Sequence, residues 1–258
     1  MKISFYTNLE KDIDQRVTRQ LEGFVGSNGH LVVGIDEEAD ATIVLGGDGT
    51  MLAAARRAAD RGTPLLGINL GNVGYLTDVE EAQAQDAVGR LLSGDYRVER
   101  RMMLEARISG SNASLLALND ITVHRGQNPR LVHCHIDLNG EYMDDFRADG
   151  VVIATPTGST AYSLSAGGPL LKPDAQMIAI TPICPHSLSG RPAVVSHQDI
   201  ITIKLENSPD LMIAYDGEYI LKSKQKFIEI TVQASEHTAN IIRTCNLSFY
   251  ELFRKKMT

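Results

Sequence analysis

The run Gly46-Gly47-Asp48-Gly49-Thr50 stands where a short apolar stretch, Ala41 to Leu45, meets the Ala-rich stretch MLAAARRAAD. Glycines at a strand-to-helix junction leave bare amides that approach an anion closely, and a helix start favours phosphate. Thr50 is placed to cap that helix. A carboxylate in a loop that only held phosphate would repel it. Asp48 therefore reads as a proton acceptor for an attacking hydroxyl, or as a holder of a cation that bridges phosphates. The bland alternative is a tight turn with Asp as its former. Competing loops are missing. There is no G-x-x-x-x-G-K-[ST], and Gly47-Asp48-Gly49-Thr50-Met51-Leu52 ends in Leu where a dinucleotide fingerprint takes Gly or Ala. Neither the protein-kinase pair H-R-D and D-F-G nor a G-x-S-x-G elbow occurs.

A second stretch, Asp149 to Gly168, opens as a buried strand and continues as TPTGSTAYSLSAGG. Small residues permit close approach to a flat ring, hydroxyls and backbone groups serve base and ribose, and Tyr162 is placed to stack. A loop that merely packs closely is the equal alternative. Asn119-Asp120, after LLAL, offers an amide and a carboxylate suited to ribose hydroxyls, although such a pair alone reads as a turn. Arg147 and Asp149 flank a strand entrance as a surface pair. Tyr215-Asp216-Gly217-Glu218 reads as a hairpin turn. His133 and His135 share one strand face with Cys134 on the other, but no further ligands complete a zinc set.

These residues need elements to hold them. The first hundred residues alternate strand-like pieces (Lys2 to Tyr6, Ala41 to Leu45, PLLGINL) with helix-like ones (Leu9 to Phe24, MLAAARRAAD, Glu81 to Leu92), which predicts βαβ units and a Rossmann-like parallel sheet. After about Gly94 the segments become short, β-rich and punctuated by Gly, Asn and Asp, which predicts an antiparallel all-β region. The expected division is an α/β domain over 1–95, rejoined by 236–258, and a β domain over 96–235, with a ligand cleft between them. The balance of 25 Lys+Arg against 32 Asp+Glu gives a net charge of −7, unlike a dedicated nucleic-acid binder. Three cysteines without C-x-x-C spacing read as reduced thiols. No leader-like segment and no run of ~18 apolar residues occurs, so a soluble cytoplasmic protein, not membrane-bound, is expected.

GGDGT, the Asn-Asp pair after LAL, RADG and TPTGSTAYSLSAGGP occur in the order and spacing of NAD kinases, and the chain resembles a bacterial or archaeal member from about Thr42 to Glu218, including TPICPHSLSGRP. GGDG by itself is shared with lipid kinases and phosphofructokinases; TGSTAYSLSAGG is specific. The resemblance implies an N-terminal α/β domain that the chain's end rejoins, an all-β C-terminal sandwich domain, and phosphorylation of the adenosine 2′-hydroxyl of NAD by ATP or polyphosphate to give NADP. It implies Asp48 as proton acceptor with Gly49 beside it, and Tyr75 near the site. The family's Asn-Glu pair on ribose falls on Asn119 and Asp120, whose acid is one methylene shorter. Arg130, Arg147 and Asp149 match NAD-contacting positions, sometimes from a neighbouring subunit. Thr160, Ala161, Tyr162, Ser163, Leu164 and Ser165 match the adenine-nucleotide pocket. Glu218 matches a position where relatives often have Gln. A divalent ion, Mg²⁺, is expected to arrive with the phosphoryl donor, and a homotetramer or homodimer is expected. The rival readings are a lipid or sugar kinase using the same loop and a non-catalytic NAD(P)-binding protein.

Overall fold

Apolar runs near the start become fully buried strands, and amphipathic stretches become the helices that cover them. In chain order these are β1 (Lys2–Thr7), α1 (Arg16–Ser27), β2 (Leu31–Val32), β3 (Ala41–Gly46), α2 (Asp48–Ala58), β4 (Leu65–Asn69), β5 (Val79–Glu80) and α3 (Ala84–Ser93). There follow β6 (Arg97–Ile108), β7 (Ser114–Ala117), β8 (Asp120–Arg125), β9 (Val132–Leu138), β10 (Glu141–Ala148), β11 (Gly150–Ala154) and α4 (Tyr162–Ser165). The chain ends with β12 (Met177–Ile183), β13 (Ala193–Ser196), β14 (Ile201–Glu206), β15 (Leu211–Tyr215), β16 (Glu218–Ser223), β17 (Phe227–Arg243) and α5 (Phe249–Met257). The computed structural model describes residues 1–71, 74–126, 130–186, 190–206, 211–223, 227–245 and 248–257. Part of the SLSG stretch noted above, residues 187–189, lies outside the described residues.

Two units result: residues 1–101 with 237–258, and residues 102–236. In the first unit the strands run parallel in the order β2-β1-β3-β4, with β5 paired to β4 and the end of β17 joining at Ile241 opposite Leu65. β3 and β4 are buried along their whole length, as strands covered on both faces must be. Ile3, Ile43, Leu45, Leu66 and Ile68 pack with Val17, Leu21 and Val25 of α1 and Val88 and Leu91 of α3. In the second unit two antiparallel sheets enclose one apolar core. One has the order β13-β12-β11-β8-β15-β16, and the other contains β10-β9-β14-β17. The two-layer arrangement is the predicted α/β domain plus an all-β sandwich domain.

Two local expectations give way to the structure. The helix expected from Leu9 begins at Arg16. Asp12 takes the amides of Val17 and Thr18 at 3.2 and 3.0 Å, so its carboxylate ends the preceding turn and caps the helix from upstream. Ile13, counted in the apolar stripe, is instead 79% exposed. Thr50 is not the cap of α2. Gly47 holds that position, and Thr50, one turn in, accepts from the Gly47 amide at 3.4 Å. Among the described residues no helix is long and apolar enough to cross a membrane.

Candidate active site

Parallel strands deliver their carboxyl ends to one edge of the sheet, and the loops that follow them gather the candidate residues of the first unit. β1 runs out at Asn8, whose amide donates to Leu45 O at 2.8 Å and whose side chain donates to Thr50 Oγ1 at 3.3 Å. β3 runs into the glycine loop and β4 into the segment that carries Gly74 to Thr77. Leu70 N bonds back to Gly46 O at 3.1 Å, which ties the second loop to the first.

Asp48 opens α2 at the place predicted. Its Oδ2 accepts from Tyr75 N at 2.8 Å, and its Oδ1 accepts from Leu76 N at 3.0 Å, Thr77 N at 3.2 Å and Thr77 Oγ1 at 3.2 Å. A carboxylate held by several N–H donors has a fixed direction and little rotational freedom. Gly74 makes that approach possible, since a Cβ there would stand 1.8 Å from Asp48 Oδ1. Gly49 differs: a Cβ would meet nothing within 4 Å, so its bare Cα faces open space beside the helix N-terminus. Tyr75 packs its ring 6.5 Å from that of Phe253 in α5, and burial with the neighbouring Asp48 charge raises its hydroxyl above the ordinary tyrosine range. Sequence reasoning missed Lys11. Its ammonium lies 3.0 Å from a Cβ position on Gly47 and 3.5 Å from one on Gly71. Only the fold brings it there, because it leaves β1 on an irregular turn without a motif.

The second unit carries candidate residues of its own. A cavity of about 390 Å³ is lined by Asn119, Asp120, Ala161, Tyr162, Asp216 and Tyr219, among others. The TGST loop is fixed against its floor by Thr155, whose amide donates to Asn119 O at 2.9 Å and whose hydroxyl donates to Leu118 O at 2.6 Å. Asp216 and Gly217, at φ 48° and 82°, form the two-residue turn that joins β15 to β16. That turn is more than a connector. The Asp216 carboxylate accepts from the amides of Leu118, Asn119 and Asp120, at 3.0, 2.6 and 3.4 Å, and so sets the Asn119-Asp120 pair. Asp120 is 6% exposed, and burial pushes its carboxyl up to about 6. The Thr122 hydroxyl, donating at 3.0 Å, pulls the other way, and the Asp216 charge adds to the rise. Tyr162 is 44% exposed at the cavity. Burial first, then the neighbouring acidic groups Cys184, Tyr219, Asp149 and Asp120, hold its hydroxyl above the usual value.

The remaining sequence candidates divide. Ser163 is fully buried, and its hydroxyl is bonded to Thr181 Oγ1 at 2.9 Å, so it braces α4. Thr160 donates to Thr157 O at 3.0 Å within the same loop. Leu164 and Ser165 continue α4, and neither is among the residues lining the cavity. Asp149 pairs with Arg125 at 2.5 Å, not with Arg147. Pleating explains this: Arg125 N also bonds Asp149 O at 2.8 Å, whereas Arg147 stands on β10 opposite His133. Arg130, Arg147 and Glu218 are exposed and outside the cavity lining. His133 and His135 are bonded to Asp145 and Asp137 at 2.6 and 2.9 Å. Among the described residues no group of three or more His, Cys, Asp or Glu side chains could hold a metal ion.

A parallel α/β unit with an acid in its glycine loop, and a β-sandwich unit with a polar, tyrosine-edged cavity, define a nucleotide-handling phosphotransferase. Residues 10–96 match the ATP-NAD kinase N-terminal domain and residues 118–244 the ATP-NAD kinase C-terminal domain. The NAD kinase of Thermoanaerobacter sp. (strain X514) is 39% identical over 280 residues, covering 100% of this chain and 99% of that protein. The NAD kinase of Clostridium perfringens is 42% identical over 221 residues, covering 84% and 80%. Among solved structures, an NAD kinase from Archaeoglobus fulgidus in complex with ATP superposes with a TM-score of 0.82 at 26% identity, covering 99% of this chain and 98% of that one. Yeast NADH kinase complexed with NADH gives 0.81 at 26% identity, covering 98% and 85%. The chain belongs to the NAD kinase family and is a phosphotransferase that converts NAD to NADP.

Proposed function

We propose that Asp48 is the proton acceptor for the adenosine 2′-hydroxyl of NAD. The observation that carries this reading is a carboxylate fixed by loop amides at the N-terminus of α2, beside the open space over Gly49. Phosphoryl transfer depends on positioning and charge neutralisation. The start of α2 and the Lys11 ammonium supply that charge to the donor phosphates, taken from ATP or polyphosphate. A divalent cation carried on the donor neutralises phosphate charge. Mg²⁺ keeps several waters and binds chiefly through substrate phosphates, so a cation that arrives with the donor needs no dedicated protein cage. In the β unit, Asn119 and Asp120 take ribose hydroxyls while Tyr162 stacks on a base. Arg130 and Arg147, exposed on their own subunit, are proposed to act on a neighbour's NAD in a homo-oligomer, most simply a tetramer. Three cysteines, none of them in a disulfide, suit a reducing, cytoplasmic setting.

Asp48→Asn tests the central assignment. Its amide oxygen still takes Leu76 and Thr77, at the loss of the Tyr75 bond, so NAD binding should persist while kcat falls ~10²–10⁴-fold. Turnover is read by coupling NADP to an NADP-dependent dehydrogenase, with a binding titration on the same preparation. A variant that keeps more than about a tenth of wild-type kcat removes Asp48 as the base. Sedimentation of a fully active monomer would end the oligomer reading.

A further inference from the structure

The segment that holds Asp48 is itself held from the far side. Arg243, the last residue of β17 and 5% exposed, donates from one Nη to Tyr75 O and from the other to Leu76 O, each at 3.2 Å. Tyr75 O and Leu76 N belong to one peptide unit, and Leu76 O and Thr77 N to the next. Both N–H groups point to Asp48 Oδ1, at 3.0 and 3.2 Å. Two peptide dipoles thus stand side by side, each bridging the guanidinium at its carbonyl end to the carboxylate at its N–H end. We propose that Arg243 is a positioning residue for phosphoryl transfer, polarising these two peptide units so that their N–H groups hold the Asp48 carboxylate in its reactive direction.

The surroundings fit that role. Hydrogen bonds in a chain polarise one another, and the effect is largest where water is excluded. The guanidinium is placed by Asp78 Oδ1 at 2.9 Å and by Glu99 Oε2 at 3.1 Å, and Glu99 also receives Arg101 at 2.5 Å. Cys245 Sγ contacts the other Asp78 oxygen at 3.1 Å. Arg243, Arg101 and Arg97, whose Nη2 stands 3.2 Å from Glu99 Oε1, face Asp78 and Glu99, so an arginine buried this deeply has two acids at contact distance. Its planar fork is what spans two carbonyls and two acids, and a lysine ammonium is a point donor that does not. The charged and titratable groups around the Asp48 carboxylate are then Lys11 at the glycine loop, the Tyr75 hydroxyl, and the Arg243, Arg101, Arg97, Asp78 and Glu99 cluster behind the peptides.

The inference rests on Asp48 being the base, and the experiment separates the two. The kcat–pH profile is measured for wild type, Asp48→Asn, Arg243→Lys and the charge-balanced double variant Arg243→Met with Asp78→Asn. Once kcat is divided by the folded fraction measured at each pH, a loss of folded protein leaves the profile in place, whereas a weakened grip on a carboxylate moves the acid limb upward. The double variant is expected to lose about tenfold in kcat with its KM for NAD within about twofold, and to shift the limb by about one pH unit. Arg243→Lys should shift it the same way by less. An unmoved limb and wild-type kcat in a folded double variant overturn the proposal. Should the double variant fail to fold, an Arg243→Lys profile superposable on wild type overturns it alone. Full turnover in Asp48→Asn would instead sink the base assignment while leaving the Arg243 contacts as loop architecture.

Discussion

Asp120 carries a stability cost that an isosteric substitution removes. Its carboxyl stands at about 6 in the folded chain, against an ordinary aspartate value of 3.8, because burial disfavours the charged form. A folded-state value raised above the unfolded one means stability that is full below the unfolded value and is lost as pH climbs through the folded one. The difference of about 2 pH units corresponds to about 3 kcal/mol once the group is ionised in both states. Asp120→Asn keeps the shape and an acceptor for the Thr122 hydroxyl while carrying no charge. Its advantage over wild type should be roughly 2 kcal/mol at pH 5 and about 3 kcal/mol at pH 8, so it grows by roughly 1 kcal/mol between them. Urea unfolding of both proteins at the two pH values, without nucleotide, measures it. An advantage that does not change with pH would show that the carboxyl is not desolvated as the fold implies, and a variant less stable at pH 8 would reverse the argument. The same variant should lose ~1–3 kcal/mol in kcat/KM for NAD if the carboxylate takes ribose hydroxyls, an exchange of stability for function.

The other expectations are simpler to read. Lys11→Ala should weaken kcat/KM for the phosphoryl donor by ~1.5–3 kcal/mol, about 10- to 100-fold, with KM for NAD unchanged; an effect confined to NAD would remove Lys11 from the donor side. Gly74→Ala places a methyl 1.8 Å from Asp48 Oδ1, so the 74–77 segment must move and turnover should collapse in a chain that still melts cooperatively; wild-type activity would show that this contact is dispensable. EDTA should abolish turnover reversibly without lowering the melting temperature, and unfolding by EDTA would reveal a structural metal.

Much of the fold was legible because its signals are local. Ala41 to Leu45 and PLLGINL are continuous apolar runs that only a strand buried on both faces accommodates, and both became central strands. The position of Asp48 at a strand end and helix start was equally local, since backbone continuity alone puts it there. The misplaced start of α1 shows where such reading stops. Ile13 has helical spacing with Val17 and Leu21, but a single side chain, Asp12, competes for the amides that a longer helix would use. Periodicity counts apolar residues and is blind to that competition. Arg125 was missed for a similar reason: Asp149 chose its partner by sheet register, and register is a property of the pairing between β8 and β11.

The least legible feature is one device used in both units. In the first, Asp48 accepts the consecutive amides of Tyr75, Leu76 and Thr77; in the second, Asp216 accepts those of Leu118, Asn119 and Asp120. Each carboxylate satisfies donors that an irregular segment leaves outside any ladder, and buried donors of this kind are costly when unmade. The partners lie 27 to 29 residues apart in one case and 96 to 98 in the other, beyond any motif window. The hairpin reading of Asp216-Gly217 was therefore correct and incomplete, since the turn's geometry was local and its purpose was not. The two anchors differ in what they leave for chemistry. Asp216 serves a pair that would touch ligand, and so acts through Asn119 and Asp120. Asp48 is at once the anchor of its loop and the proposed base, so any change that frees its oxygens also frees the loop. That coupling is why Arg243, which grips the same loop without being at its surface, offers the cleaner handle on the chemistry.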